Sequence, residues 1–249
     1  MRADAAQLAD RLGLRFADLG LLEQALVHSS YTNEQASPTQ SNDRLEFLGD
    51  AVVAIVISEA LFARYPDADE GELTTRRAAI VSSTGLARIA SRLGLGEYVV
   101  LGHGATVAGE RARNSILAGA FEAVTGALYS EQGLEGTRAW LLAVCSPELE
   151  AKLPFQALKA PKSRLQELSY ARTGRPPHYR MISAEGPHHD RLYEVEVAIG
   201  SDVLGRGSGR NRREAETAAA NEALERLAES AVSVTATDLP VDRTEVPPG

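Results

Sequence analysis

Residues 42–51 of this chain are Asn-Asp-Arg-Leu-Glu-Phe-Leu-Gly-Asp-Ala, and the wholly apolar run 53–57 follows almost directly. At about 100° per residue, a helix through this stretch places Asp43, Glu46 and Asp50 within an arc of about 60° on one face. Carboxylates beside a core are costly unless cations, hydrogen bonds or a metal compensate them. The stripe is therefore either an ordinary solvated helix face or a site for a hard divalent cation such as Mg²⁺, which prefers oxygen ligands.

The composition indicates a soluble protein with a proper core, since 44% of its 249 residues are hydrophobic. Cys145 is the only cysteine, so no intrachain disulfide can form, and we expect a reducing, cytoplasmic setting. Residues 1–14 lack the apolar segment of a secretory signal, and no stretch approaches the length of a transmembrane span. We therefore expect a cytoplasmic protein that has no membrane partner.

The net charge of −8, taken alone, argues against a nucleic-acid partner, but the charge is unevenly distributed. Residues 1–159 carry 14 Lys/Arg against 20 Asp/Glu, whereas residues 160–228 carry 11 against 10. Four arginines are concentrated between residues 206 and 213. Because the local field matters more than the total charge, the second part of the chain remains a candidate for binding nucleic acid.

The first part of the chain, residues 5–145, has helical spacing of its apolar residues almost throughout. A proline-punctuated segment, residues 146–160, follows it and is interpreted as a helix-containing connector. Asn114 and Ser115 are predicted to cap the helix that follows them. The predicted elements are helices at 43–65, 69–93 and 114–131, a glycine-rich loop at 103–109 and a last helix around Trp140.

A different pattern begins at residue 161 and continues to residue 229. Alternating strand-like segments lie between two helical ones, which predicts the order α-β-β-β-α. The tail 230–249 lacks periodicity and is expected to be disordered. The predicted elements are helix 163–172, strands 178–184, 192–199 and 203–209, and helix 215–227.

The stretch 42–51 closely resembles the signature of ribonuclease III, Asn-Glu-Arg-Leu-Glu-Phe-Leu-Gly-Asp. Only Asp43 departs from it, replacing a glutamate with a shorter acid, and is expected to be an outer or structural acid. The resemblance covers residues 5–145 and implies an all-helical endonuclease domain. The fold class is therefore expected to be multidomain, α followed by α+β.

A second resemblance to ribonuclease III lies in residues 116–129, Ile-Leu-Ala-Gly-Ala-Phe-Glu-Ala-Val-Thr-Gly-Ala-Leu-Tyr. The commoner family pattern has an aspartate and a glutamate three residues apart; Glu122 is present, but Gly119 occupies the aspartate position. The resemblance implies that Glu46 and Glu122 ligate Mg²⁺, with Mn²⁺ as a substitute. It implies that Asp50 binds the metal or orients its water, so Asp50 and Glu122 are the expected catalytic residues. No small-molecule cofactor is expected.

The order α-β-β-β-α at 161–229 resembles a double-stranded-RNA-binding domain, which reads the shape and 2′-hydroxyls of a duplex. The resemblance implies that Gln166 reaches one minor groove and His188 the next. The alternatives for His188 are an ordinary loop histidine and, together with His189, a weak metal-binding pair. Positive charge at the start of the last helix is expected to attract phosphate, as are the free N–H groups there. The arginines concerned are Arg210, Arg212 and Arg213.

The two resemblances together imply an endoribonuclease that cuts double-stranded RNA, leaves staggered 5′-phosphate and 3′-hydroxyl ends, and processes ribosomal and other structured RNA precursors. They also imply a homodimer in which Phe47 inserts into the partner subunit, with an ordinary core phenylalanine as the alternative. Because Gly119 removes an expected acid, a rival hypothesis is a non-catalytic, dimeric protein that binds double-stranded RNA. A metal-dependent DNA nuclease is a weaker hypothesis.

Overall fold

The computed structural model describes residues 4–35, 39–151, 153–187 and 191–237. The chain forms two compact units, with the boundary between Leu158 and Lys159. The described part of the first unit is helical, with short 3₁₀ turns at Leu95–Glu97 and Glu110–Ala112. Its helices are α1 (Ala5–Leu12), α2 (Leu19–Ala25), α3 (Ser29–Thr32), α4 (Asp43–Arg64), α5 (Glu70–Val81), α6 (Ser83–Leu93), α7 (His103–Val107), α8 (Asn114–Val144), α9 (Ser146–Glu150) and α10 (Phe155–Leu158).

The bounds of several helices follow from capping side chains. The Asp18 carboxylate accepts the N–H of Gly20 at the start of α2, and the Asp69 carboxylate accepts the N–H of Glu72 in α5. These bonds satisfy donors that the first turn of a helix leaves free. Helix α6 ends at Gly94, whose φ of 72° is a left-handed conformation that glycine adopts without a steric penalty.

The core of the first unit is built around α4 and α8. Val53 and Ile57 of α4 and Leu128 of α8 are fully or almost fully buried. The ring of Phe121 stacks on Trp140, with 5.7 Å between the ring centroids. Burying each side chain of this size contributes about 1.5–3 kcal/mol, so the two helices are held firmly against each other.

The predicted helix 69–93 is two helices, and the sequence-based prediction was wrong on this point. Ser82 has extended backbone angles, and its hydroxyl accepts the N–H of Gly85 at the start of α6. Gly85 packs against the end of α5, since a Cβ atom there would lie 2.2 Å from the carbonyl oxygen of Ile80. A serine cap and a close backbone contact therefore divide a segment whose apolar spacing is continuous.

The predicted last helix around Trp140 is confirmed. A kink at Gly133, where φ is 69°, interrupts the helical backbone of α8 and separates the segment that carries Glu122 from the segment around Trp140.

Two further local predictions were wrong. The expected glycine-rich loop at 103–109 contains α7. Asn114 lies inside α8, whose capping position is Arg113 and has no side-chain capping bond.

The predicted connector 146–160 contains α9 and α10. Helix α10 packs against α5, and Leu149 of α9 joins the core of the first unit. The Glu148 carboxylate of α9 binds the guanidinium of Arg92, with 2.6 Å between Arg92 Nη1 and Glu148 Oε1.

The described part of the second unit follows the predicted order α-β-β-β-α. Its sheet is antiparallel in the order β1-β2-β3, and Val197 of β2 pairs with Tyr179 of β1 and Gly205 of β3. The elements are α11 (Pro161–Thr173), β1 (His178–Glu185), β2 (Leu192–Ile199), β3 (Asp202–Gly209) and α12 (Arg212–Thr237).

The sheet packs against the alanine-rich face of α12. A Cβ atom on Gly205 would lie 2.4 Å from the carbonyl oxygen of Ala219, so only glycine allows strand and helix to approach this closely. Leu165 of α11 and Val197 of β2 complete the core beside Ala219 and Ala223.

Helix α12 extends beyond the predicted end at residue 227. It continues to Thr237, so residues 230–237, expected to be disordered, are helical. Residues 238–249 of the predicted tail lie outside the described residues. Among the described helices, none combines the length and apolar character that crossing a membrane requires.

Candidate active site

The helices that carry the predicted acids cross with their backbones in contact. Gly49 of α4 and Gly126 of α8 face each other at the crossing, and a Cβ atom on Gly126 would lie 2.1 Å from the carbonyl oxygen of Leu45. Gly49 stands between Glu46 and Asp50 on α4, while Gly126 is one helical turn beyond Glu122 on α8. The crossing therefore brings the acids of α4 to the acid of α8.

The three predicted acids lie within electrostatic reach of one another. Burial, together with the charges of Asp50 and Glu46, raises the pKa of Glu122 from its ordinary 4.5 to about 7. Burial also raises the pKa of Glu46, as do the charges of Asp43 and Asp50. Asp50 itself is exposed. The structure thus brings Glu46, Asp50 and Glu122 together, as the sequence predicted.

The donor set of this site fits a hard divalent cation. Carboxylates that raise each other's pKa are stabilised in their charged form by a nearby cation. In the part of the chain that the structure describes, no three His, Cys, Asp or Glu side chains are already gathered as a metal cluster. Mg²⁺ does not require such a cluster, because it is commonly held by one or two carboxylates and keeps several waters. Glu46 and Glu122, which are partly buried, are the best placed to hold it.

Asp43 has a local role at the start of α4. Its carboxylate accepts a hydrogen bond from the Ser41 hydroxyl, with 2.8 Å between the oxygens. A negative charge in the first turn also interacts favourably with the helix dipole. The neighbouring Asn42 is buried, and its backbone N–H donates to the carbonyl of Val27. These contacts fix the start of the helix that presents Glu46 and Asp50.

Gly119 lies beside the acids on the same face of α8 as Glu122. A Cβ atom at this position would fall 2.6 Å from Oε2 of Glu46. The position that lacks the expected aspartate is therefore in contact with the Glu46 carboxylate. Sequence reasoning recognised the missing acid but had no means of detecting this contact, which depends on how α4 and α8 cross.

Phe47 lies on the outer side of α4 and is 82% exposed. The alternative that it is an ordinary core phenylalanine is wrong for this chain. Ile55 and Phe62, which lie two and four turns further along α4, are also exposed hydrophobic residues. Together these three residues form an apolar stripe on the surface, hereafter the α4 stripe, which is typical of a protein–protein contact.

The predicted RNA-binding residues that are described lie on α11 and at the start of α12. Gln166 is exposed on α11, and Arg210 and Arg213 are exposed beside the first turn of α12. Arg212 binds the carboxylate of Glu216, with 2.8 Å between Arg212 Nε and Glu216 Oε1. His188 lies outside the described residues.

The start of α12 is closed by a reciprocal cap that the sequence analysis missed. The Asn211 side chain accepts the N–H of Glu214, and the Glu214 carboxylate accepts the N–H of Arg210. The signal was present as an asparagine followed three residues later by a glutamate. Two N–H groups that were expected to be free for phosphate are therefore occupied.

The Glu216 carboxylate also ties α12 to α11. It accepts a hydrogen bond from the ammonium group of Lys162 as well as from Arg212. The Lys162 hydrogen bond is the largest cause that lowers the pKa of Glu216. Lys162 was not predicted as a site residue, because its pairing with residue 216 depends on how the two helices pack.

Comparison with known proteins identifies the family of both units. Residues 18–148 match the family described as Ribonuclease-III-like, and residues 161–227 match the double-stranded RNA binding motif. The chain belongs to the ribonuclease III family. Curated relatives named Ribonuclease 3 include one from Dehalococcoides mccartyi, 41% identical over 91% of this chain and 96% of the relative. Another, from Roseiflexus sp., is 44% identical over 91% of this chain and 97% of the relative.

A solved structure agrees with the fold of this ribonuclease III-family chain. It is the nuclease domain of ribonuclease III from Campylobacter jejuni, which is 34% identical with a TM-score of 0.54. The match covers 58% of this chain and 98% of that domain. The Campylobacter jejuni domain is described as structurally flexible in a region involved in dimer formation.

Proposed function

We propose that this chain, an endoribonuclease of double-stranded RNA, hydrolyses its substrate with Mg²⁺ held by carboxylates of α4 and α8, and that Mn²⁺ can substitute. The observation that carries the proposal is the convergence of Glu46, Asp50 and Glu122 at the crossing of α4 and α8, where burial, and then the charges of Asp50 and Glu46, raise the pKa of Glu122 to about 7. Such a perturbation by burial and like charge is typical of functional acids. Oxygen ligands at the crossing of two rigid helices suit this cation.

Each acid has a separate role in the proposal. Glu46 and Glu122 hold the cation, and Asp50 binds it or orients its water. The chemistry that Mg²⁺ supplies when bound is activation of water and stabilisation of charge on the scissile phosphate. Because the pKa of Glu122 is about 7, this residue must release its proton before it can act as a ligand. Asp50 and Glu122 are the proposed catalytic residues.

The α4 stripe supports a homodimeric enzyme. An exposed Phe47 next to Glu46 places the apolar contact beside the acids. In a dimer with two such sites each site cuts one strand, which yields staggered ends with 5′-phosphate and 3′-hydroxyl groups. The Campylobacter jejuni nuclease domain, which has a region involved in dimer formation, supports this proposal by similarity.

The second unit supplies the affinity for the duplex. Gln166 contacts one minor groove, His188 the next, and the arginines before and within the first turn of α12 contact the phosphates between them. These arginines are Arg210, Arg212 and Arg213. Ribosomal and other structured RNA precursors in the cytoplasm are the proposed substrates, and the reaction needs no small-molecule cofactor.

The hypothesis of a non-catalytic binding protein is not favoured. Relatives at 41–44% identity that are named Ribonuclease 3 align with 91% of the chain, so the chain shares both of its units with them. The residues Glu46, Asp50 and Glu122 are all retained.

The proposal is tested with RNA and DNA duplexes of equal length, each with Mg²⁺ and with EDTA. We expect Mg²⁺-dependent cutting of the RNA duplex into fragments with 5′-phosphate ends, and no cutting of DNA. Cutting in EDTA would contradict the role of the metal. Equal or tighter binding of DNA would contradict the role of the second unit.

A further inference from the structure

One carboxylate joins the first turns of α11 and α12. Glu216 of α12 accepts hydrogen bonds from the ammonium group of Lys162, in the first turn of α11, and from Nε of Arg212, in the first turn of α12. The Glu216 side chain is only 12% exposed, whereas those of Lys162 and Arg212 are 40% and 61% exposed. The carboxylate therefore lies beneath two cations that are open to the solvent.

Lys162 is held on a second side by an aromatic ring. Its Nζ lies 4.8 Å from the centroid of the Tyr179 ring in β1, which is within the range of a cation–π interaction. The hydrogen bond from Lys162 lowers the pKa of Glu216 most, and the hydrogen bond from Arg212 lowers it in the same direction. Glu216 is thus charged at neutral pH and keeps both cations in place.

The way in which Arg212 is held leaves its outer N–H groups open to a phosphate. Glu216 accepts the N–H at Nε, and no described residue accepts a hydrogen bond from either Nη group of Arg212. Because the guanidinium is planar and rigid, fixing this one N–H fixes the direction of the other four. Two of them can bind a single phosphate through parallel hydrogen bonds.

We propose that Glu216 is a positioning residue for duplex binding, which holds Lys162 and Arg212 as a fixed pair of cations for neighbouring phosphates of the RNA backbone. This inference rests on the proposed binding of double-stranded RNA by the second unit, and it adds Lys162 to the phosphate contacts. Long cationic side chains lose rotamer freedom when they bind, and ordering one of them typically weakens affinity by about twofold to tenfold. Glu216 imposes this order before the RNA binds.

The sign of the effect distinguishes positioning from simple electrostatics. Glu216 is itself negative and lies next to the proposed phosphate contacts, so neutralising it would strengthen RNA binding if only the local charge mattered. If the carboxylate positions the two cations, neutralising it weakens RNA binding instead. We expect Glu216→Gln to bind an RNA duplex about threefold to tenfold more weakly than the wild type, although the variant has lost a negative charge.

The test measures binding of the whole chain to a fluorescently labelled RNA duplex in EDTA, at one fixed salt concentration. The wild type is compared with Glu216→Gln and with a control, Glu225→Gln, which removes the same charge from an exposed position further along α12. We expect the control to bind the duplex at least as tightly as the wild type. An equal weakening of binding in both variants would overturn the inference.

Single-turnover cleavage in Mg²⁺ separates duplex binding from chemistry. Glu216→Gln should need a higher protein concentration for half-maximal cleavage, because its affinity for the duplex is lower. At saturating protein it should reach the rate constant of the wild type, since Glu216 is remote in sequence from the acids of the first unit and acts only on binding. A lower rate constant at saturation with an unchanged half-maximal concentration would overturn the inference.

A double-mutant cycle tests whether the effect passes through the two cations. In a Lys162→Ala, Arg212→Ala background, Glu216 no longer has this pair to position. Adding Glu216→Gln to that background should therefore cause no further loss of RNA affinity, which is the non-additivity expected of residues in contact. A carboxylate that only supported the fold would weaken binding in either background.

The outcomes separate the inference from the proposed function. If Glu216→Gln bound RNA as tightly as the wild type or more tightly, or lost the same affinity in both backgrounds, the inference would be overturned and the proposed function would stand. Unfolding of Glu216→Gln at the assay temperature, measured by circular dichroism, would overturn it too, because the carboxylate would then be holding the fold rather than the cations. A wild-type chain that binds no duplex RNA would refute the proposed function itself.

Discussion

Gly49 of α4 lies so close to Glu122 of α8 that a Cβ atom on residue 49 would fall 1.7 Å from the Glu122 carbonyl oxygen. The two helices can cross at this distance only because residue 49 has no side chain. The same contact sets the separation between the acids of α4 and the acid of α8. A glycine without any chemistry of its own thereby determines the geometry of the site.

We predict that Gly49→Ala destabilises the first unit by about 3 kcal/mol, at the upper end of what overpacking typically costs. The obstructing atoms belong to the backbone of α8, so the helices must separate to admit the methyl group. Urea denaturation measures the change. Gly104→Ala is the matched control and should stay within about 0.5 kcal/mol of the wild type. Equal losses in the two variants would refute the close crossing.

The stability of the metal-free chain should depend on pH through Glu122. Its pKa is raised to about 7 in the folded chain from an ordinary 4.5, so the folded state binds more protons than the unfolded state between these values. The free energy of unfolding should therefore fall as the pH rises from about 4.5 to about 7.

Glu122→Gln removes this titration. The variant should be more stable than the wild type above pH 7 without metal, and its stability should change less across this interval. Thermal unfolding in EDTA at several pH values measures both effects. If the stability of the wild type and of the variant changed at the same rate across this interval, the pKa of Glu122 would not be raised in the folded chain, which would contradict the prediction.

Phe47→Ala should weaken the dimer without unfolding the subunit. Phe47 is 82% exposed in the single chain, so its truncation removes no core contact, but it removes the aromatic anchor of the proposed interface. We expect the dimer dissociation constant to rise by at least about tenfold, measured by analytical ultracentrifugation. The control is Val107→Ala, since Val107 is 73% exposed on α7 rather than α4. Identical dissociation constants for both variants would exclude the α4 stripe as the interface.

Arg213→Ala should reduce the affinity for duplex RNA and its dependence on salt. An arginine that contacts one phosphate releases about one counterion, so its loss should lower the slope of log affinity against log salt by about 1. Arg226→Ala is the control, because Arg226 lies further along α12 and is paired with Glu222. An unchanged salt dependence in Arg213→Ala would place the phosphate contact elsewhere.

The sequence was sufficient to predict the elements that carry function. Periodicity predicts the order of helices and strands and the bounds of the β2 segment. The family motifs predict that Glu46 and Asp50 lie near Glu122. These features are local in sequence, or were carried by the resemblance to ribonuclease III. For this reason the predicted strand 192–199 coincides with β2.

The features that sequence failed to predict depend on contacts between distant segments. The break at Ser82 requires α6 to pack against the end of α5, and the contact of Glu46 with Gly119 requires the crossing of α4 and α8. The helical extension to Thr237 carries an apolar pattern too weak to predict a helix. The exposure of Phe47 was left open by the sequence, because it depends on which segments pack against α4.

The active site at the crossing of α4 and α8 is tested by single-turnover cleavage of a long RNA duplex in Mg²⁺ by wild type, Glu122→Gln and Glu135→Gln. Glu135 lies on the same helix with its side chain 84% exposed, so it controls for the loss of a charge on α8. We predict that Glu122→Gln cleaves on the order of a hundredfold more slowly or worse while retaining its affinity for the duplex, and that Glu135→Gln cleaves like the wild type. Wild-type cleavage by Glu122→Gln would contradict the assignment of the active site to this crossing.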